Sequence, residues 1–148
     1  MLVWVLNGPN LNFLGTREPD VYGQLSLAQV VDELQVRARG MQVALVCKQT
    51  NHEGELIDWL QEAVLQRVDG VVINPGGLTH QSVVLRDALA CVKAPKVEVH
   101  VSNIYARESF RRRSLISPIV DGVISGLGVD GYHLALQAVV RLARQRTS

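Results

Sequence analysis

The chain has 148 residues, 47% of them hydrophobic and 20% charged, with a formal net charge of +1. One domain of that length, residues 1–148, buries roughly 70% of its unfolded surface without staples, and the composition excludes a disordered or fibrous chain. The near-neutral balance supplies no global field toward nucleic acid or an anionic membrane. Twelve Arg stand against three Lys, a bias that suits carboxylate binding and equally a GC-rich coding sequence. Cys47 and Cys91 lack any metal-ligand or CxxC spacing, and their apolar contexts predict buried free thiols in a reducing compartment. The apolar N-terminal run stops at Asn7-Gly8-Pro9, too soon for a signal core or a membrane span, so a cytoplasmic protein is expected.

Strand and helix signals alternate along the chain. Residues 2–6 read as a strand, and residues 26–39 as a helix with Leu27, Val30, Val31 and Leu34 on one face, Ser26 as its N-cap and Gly40 as its stop. A strand follows over residues 42–47 and a helix over 53–67. Then come a strand over 71–73, a helix over 82–92, strands over 96–99 and 122–124, and a closing helix over 132–144. Five strands with helical crossovers predict parallel pairing through right-handed connections. The expected architecture is a flavodoxin-like, doubly wound five-stranded parallel sheet in a three-layer sandwich. The connection over residues 7–25 is nineteen residues long where two to six are usual, which suggests a lid hinged at Gly15 and Gly23 or a surface loop without chemistry.

Three strands break off into chemically capable clusters: Asn7-Gly8-Pro9-Asn10, Asn74-Pro75-Gly76-Gly77 and His100-Val101-Ser102-Asn103. Ligands in open α/β sheets bind beyond the carboxyl ends of strands, so the clusters predict one assembled active site. In the long loop, Arg17 precedes Tyr22 by five residues and could lower the phenol toward a base, although a loop Tyr also serves simple packing. Strand alternation puts Glu98 and His100 on one face, where the carboxylate can orient the imidazole and keep it protonated as an acid. His80 follows another strand, with Thr79 as a candidate helix cap. Two strand-end histidines also raise a metal site with Asp87 or Glu98, but no zinc spacing supports it. Ser102 and the Val101 backbone could form an anion pocket. One of Arg111, Arg112 and Arg113 could clamp a carboxylate, or all three could form a solvated face. The GxGxxG of residues 126–131 lacks a following strand with an acidic end and reads as a tight turn rather than a dinucleotide site.

These residues resemble the type II 3-dehydroquinate dehydratases. The similarity runs through residues 7–23 (NGPNLNFLGTREPDVYG), 51–57 (NHEGELI), 74–87 (NPGGLTHQSVVLRD), 98–114 (EVHVSNIYARESFRRRS) and 126–132 (GLGVDGY), in order over nearly the whole chain. The resemblance implies a flavodoxin-like fold and cofactor-free, metal-free conversion of 3-dehydroquinate to 3-dehydroshikimate by anti-elimination through an enolate. It implies Tyr22 as base, Arg17 as the lid cation that activates it, and Asn10 as holder of a water bridging to the enolate oxygen. His100 would be the acid and Glu98 its orienting partner. Asn74, His80, Asp87 and Arg111 would bind ring hydroxyls, Ser102 and the Val101 amide the carboxylate, and Arg107 would support lid closure. The family's usual assembly is a homododecamer, a tetramer of trimers.

Gly77-Leu78 stands where many members have Ala-Tyr, and Phe13 and Thr16 vary the lid. The unrelated type I enzymes need a Schiff-base Lys, for which only Lys48 is placed and no apolar pocket is evident. The competing class is a flavodoxin-like binding module. A receiver domain would need acidic residues where Asn7 and Asn10 stand, and a flavin carrier a Ser/Thr-rich loop at Gly8-Pro9. Shikimate biosynthesis and quinate catabolism use the same chemistry.

Overall fold

A computed structural model describes residues 1–16 and 18–148, with Tyr22 described by its backbone alone. The strands are β1 (Leu2–Asn7), β2 (Ala44–Gln49), β3 (Gly70–Asn74), β4 (Lys96–His100) and β5 (Gly122–Ser125). All pairings are parallel and the order is β2-β1-β3-β4-β5, the expected flavodoxin-like order. The helices are α1 (Pro19–Tyr22), α2 (Leu27–Gly40), α3 (Glu53–Leu65), α4 (Val83–Cys91) and α5 (Asp130–Thr147).

Parallel strands buried on both faces need apolar residues on both. Val3, Val5, Val72, Val97 and Val99 pack under α2 and α5 against Val30, Leu34, Leu136 and Val139. Their neighbours Trp4, Leu6, Val71 and Ile73 face the other way, against Leu56 and Leu60 of α3 and Leu85 and Leu89 of α4. Burial of these branched side chains, at about 1.5–3 kcal/mol each, is the main source of cohesion. Among the described residues no helix is long and apolar enough to cross a membrane.

Several local expectations shift. Ser26 caps α2 in a full capping box with Gln29. The helix ends at Gly40, but the left-handed residue is Gln42, with φ 59°. Val43 then bonds back to Ala38, so the turn consumes residues 42 and 43 and β2 begins two residues later than expected. The cap of α4 is Ser82, which accepts from the Leu85 amide, and not Thr79, whose buried hydroxyl has no described partner. Cys91 is exposed rather than buried, because α4 turns it outward; Cys47 is half-buried, and burial pushes its thiol up to about 12. The long loop carries a short 3-10 turn over Leu11–Phe13 and helix α1, neither of which has enough periodic residues to announce itself in the sequence. The glycine-rich turn before α5 is as expected: Gly126 and Gly128 have φ of 93° and 64°, and Gly131 packs α5 against Ile124 and Val99.

Candidate active site

The carboxyl ends of β1, β3 and β4 lie side by side in the sheet, so their three loops converge. The first two interlock through glycines. Gly8 donates to the Asn74 carbonyl at 2.8 Å, and a Cβ on Gly8 would come within 2.4 Å of the Pro75 oxygen. Gly76 sits at φ 61°, where a Cβ would approach the Pro9 oxygen to 2.8 Å. The first loop turns at Asn10, a non-glycine residue at φ 70°, whose amide donates to Asn51 Oδ1 at 2.9 Å. Gln49 Nε2 braces the same loop by donating to the Gly8 carbonyl and to Asn51 Oδ1.

Between the loops lies a cavity of about 190 Å³. Asn10, Asn74, His80, His100, Val101, Ser102, Arg107 and Arg111 all line it, which brings together eight of the twelve expected site residues. Glu98 stands directly behind His100. Asp87 lies apart, on the exposed face of α4 and outside the cavity lining. Arg17 and the Tyr22 side chain lie outside the described residues.

At the floor of the cavity, His100 Nε2 donates to Glu98 Oε1 at 2.6 Å. Glu98 is completely buried and His100 nearly so. Burial by itself raises the Glu98 carboxyl, but hydrogen bonds from His100, Ser114 and Ser117 outweigh it and hold the carboxyl below its ordinary value. The carboxylate is therefore the stable form of Glu98. With Nε2 committed to Glu98, His100 Nδ1 is the nitrogen left for a ligand.

The walls are set with similar economy. His80 Nδ1 donates to the Arg113 carbonyl at 2.7 Å, and its ring lies 6.5 Å from that of His100, nearly parallel to it. Asn74 Nδ2 donates to the Tyr132 hydroxyl at 2.8 Å, while its Oδ1 accepts from the Gly76 amide at 3.2 Å. The Tyr132 hydroxyl in turn donates to Asn7 Oδ1 at 2.6 Å. Burial pushes the Tyr132 phenol well above its usual value, so it stays neutral. Arg111 Nε lies 2.8 Å from Glu108 Oε2, and Arg107 Nη2 lies 3.5 Å from Glu18 Oε2, tying the cavity wall to the long loop. Two guanidinium groups and two imidazoles give the cavity a lining suited to an anionic, hydroxyl-rich small molecule.

Sequence reasoning missed Tyr132, Ser114, Ser117, Gln49 and Asn51 as parts of this constellation. Tyr132, Asn51 and Ser114 fall in the motifs quoted above, but a Tyr on an apolar helix face looks like core, and serines in a loop carry no periodic signal.

A strand-end cavity on a doubly wound sheet, with a buried carboxylate–imidazole pair beside it, has the location and the groups that an enzyme of acid–base chemistry needs. The family model for class II dehydroquinases matches residues 1–140. The chain is 56% identical to the 3-dehydroquinate dehydratase of Gloeobacter violaceus over 144 residues, which are 97% of this chain and 89% of that one. It is 50% identical to the enzyme of the same name from Halothermothrix orenii, covering 97% of this chain and 96% of that one. The crystal structure of the type II dehydroquinase from Butyrivibrio crossotus superposes with a TM-score of 0.93 at 44% identity, covering 95% of this chain and 97% of that one. The chain belongs to the class II dehydroquinase family, and it is a hydro-lyase.

Proposed function

We propose that this enzyme converts 3-dehydroquinate to 3-dehydroshikimate by anti-elimination of water, in the shikimate pathway to aromatic amino acids. The observation that carries the reading is the buried Glu98–His100 pair at the floor of a cavity lined with cations and hydrogen-bonding groups. Tyr22, as phenolate, takes the proton α to the ketone, and the carbon's electron pair moves into an enolate. Asn10 holds the water that bridges to the enolate oxygen. As the enolate collapses, the new carbon–carbon double bond forms and the β-hydroxyl leaves, taking its proton from His100. Water departs, and the proton on Tyr22 returns through solvent to His100. Arg17 lowers the Tyr22 phenol by placing a positive charge beside it.

Asn74, His80 and Arg111 bind ring hydroxyls, and Ser102 with the Val101 amide holds the carboxylate. Arg107 supports lid closure, in keeping with its reach to Glu18. Asp87, exposed on α4 and outside its own chain's cavity lining, is assigned its ring-hydroxyl role toward the cavity of a neighbouring chain. The homododecamer, a tetramer of trimers, provides neighbours. No cofactor or metal enters the scheme, and the enzyme works in the cytoplasm.

The test is to mix purified protein with 3-dehydroquinate, add chelator but no cofactor, and follow the ultraviolet absorbance of the conjugated product. A rise that persists in chelator is expected. A flat trace from folded protein would overturn the reading.

A further inference from the structure

Behind the cavity, the Glu98 carboxylate accepts more hydrogen bonds than orientation of one imidazole requires. Oε1 accepts from His100 Nε2 at 2.6 Å and from Ser114 Oγ at 2.6 Å, and Oε2 accepts from Ser117 Oγ at 2.5 Å. Both serines come from the segment after Arg111, sixteen and nineteen residues beyond Glu98. Ser114 Oγ also accepts from the amides of Ile116 and Ser117, so its lone pairs are used and its single proton is directed at Glu98. Ser117 Oγ has the carboxylate as its described partner.

We propose that Ser114 and Ser117 are positioning residues for the acid: their hydroxyls grip both Glu98 oxygens and limit how tightly the Glu98–His100 pair holds its proton. The inference rests on the reading of His100 as the acid. Its physics is a comparison of two states. With the proton present, carboxylate and imidazolium sum to zero charge; with the proton gone, the pair carries one buried negative charge. A hydroxyl donor stabilises the second state more, and so eases release of the proton to the leaving group.

Other charged groups near the pair are His80 across the cavity floor and Arg107 and Arg111 in its wall. Lys96, one alternation earlier on β4, donates to the Val92 carbonyl, and Arg86 of α4 donates to the Leu115 carbonyl. Arg17 and Tyr22 are expected in the lid. All of them remain in a serine variant, so they set where the wild type titrates and not the difference between variants.

The experiment compares wild type with Ser117→Ala, Ser114→Ala and Ser117→Thr as intact assemblies. It measures kcat/KM against pH with 3-dehydroquinate and, without substrate, the titration of the His100 ring by NMR of histidine-labelled protein. Each alanine variant is expected to move the alkaline limb and the His100 midpoint upward by about half a pH unit or more, and Ser117→Thr, which keeps the donor, to restore both. An unmoved or lowered midpoint in a folded alanine variant overturns the proposal. If Ser117→Ala does not fold, Ser114→Ala decides by the same criterion. Because the NMR midpoint needs no turnover, a shifted midpoint in a protein inert toward 3-dehydroquinate would uphold the grip on the pair while removing the dehydratase reading.

Discussion

Tyr132 and Asn74, fifty-eight residues apart in sequence, meet in a buried hydrogen bond of 2.8 Å in which the amide donates and the phenol accepts. Since the phenol spends its own proton on Asn7, a flipped Asn74 would set its carbonyl oxygen against the phenol oxygen, acceptor against acceptor, and its NH2 against the Gly76 amide, donor against donor. The carboxamide at the cavity wall is thereby delivered in one orientation. Tyr132→Phe should cost about 1–3 kcal/mol in urea unfolding, because two buried asparagines lose a partner. It should also raise KM several-fold with a smaller fall in kcat, since Asn74 is assigned to ring binding rather than to proton transfer. An unchanged KM would separate the relay from substrate binding.

The Glu98 carboxyl predicts a specific response to acid. Its folded value lies below the ordinary 4.5, as the three donors override burial. The associated stability is therefore complete above the unfolded value and is lost as pH falls through the lower, folded one. Denaturant unfolding between neutral pH and about pH 3 should show the wild type losing stability in acid more steeply than Glu98→Gln. Parallel curves would mean that other carboxylates carry the effect. The same variant should lower kcat by about 10²–10⁴-fold, the usual worth of general acid–base catalysis.

Tyr22→Phe removes the assigned base and leaves the sequence of the Glu98–His100 pair unchanged. Turnover should fall nearly to background while substrate still binds, as measured by calorimetry. Wild-type-like turnover would remove Tyr22 from the mechanism.

Comparison of these residues with the sequence shows what kinds of information it carries. Short β-branched runs ending in Asn-Gly-Pro or Asn-Pro-Gly made the strands and their active ends legible, because burial and chain reversal each demand particular residues. The Glu98–His100 pair was legible because strand alternation is a strict geometric rule. Tyr132, Ser114 and Ser117 were not, since their partners lie on other elements and their spacing obeys no period. The start of β2 slipped for a related reason: Gln42 adopts a left-handed conformation usually left to glycine, and Gly40 drew the stop signal instead. Asp87 matched its motif, yet no sequence pattern announced that it would stand exposed on α4, outside the cavity lining.

The loop interlock predicts unequal outcomes at two glycines. Gly8→Ala sets a new Cβ against the Pro75 carbonyl at 2.4 Å, a backbone atom that cannot swing aside. Gly76→Ala adds left-handed strain of about 1–2 kcal/mol to a 2.8 Å approach to the Pro9 oxygen. Both should lower the unfolding midpoint and the activity, Gly8→Ala the more severely. A tolerant Gly8→Ala, with wild-type kcat, would show that the loops separate without loss of function.

The pairing of Val3 with Gly70 brings the ends of β1 and β3 together across most of the first half of the chain. Helices α2 and α3 fall between them in sequence, so much of the helical content can form before that seam closes. The loops that follow β1 and β3 therefore cannot meet, and turnover cannot begin, until that long-range pairing has formed. The enzyme's own activity is a clock for completion of the central sheet.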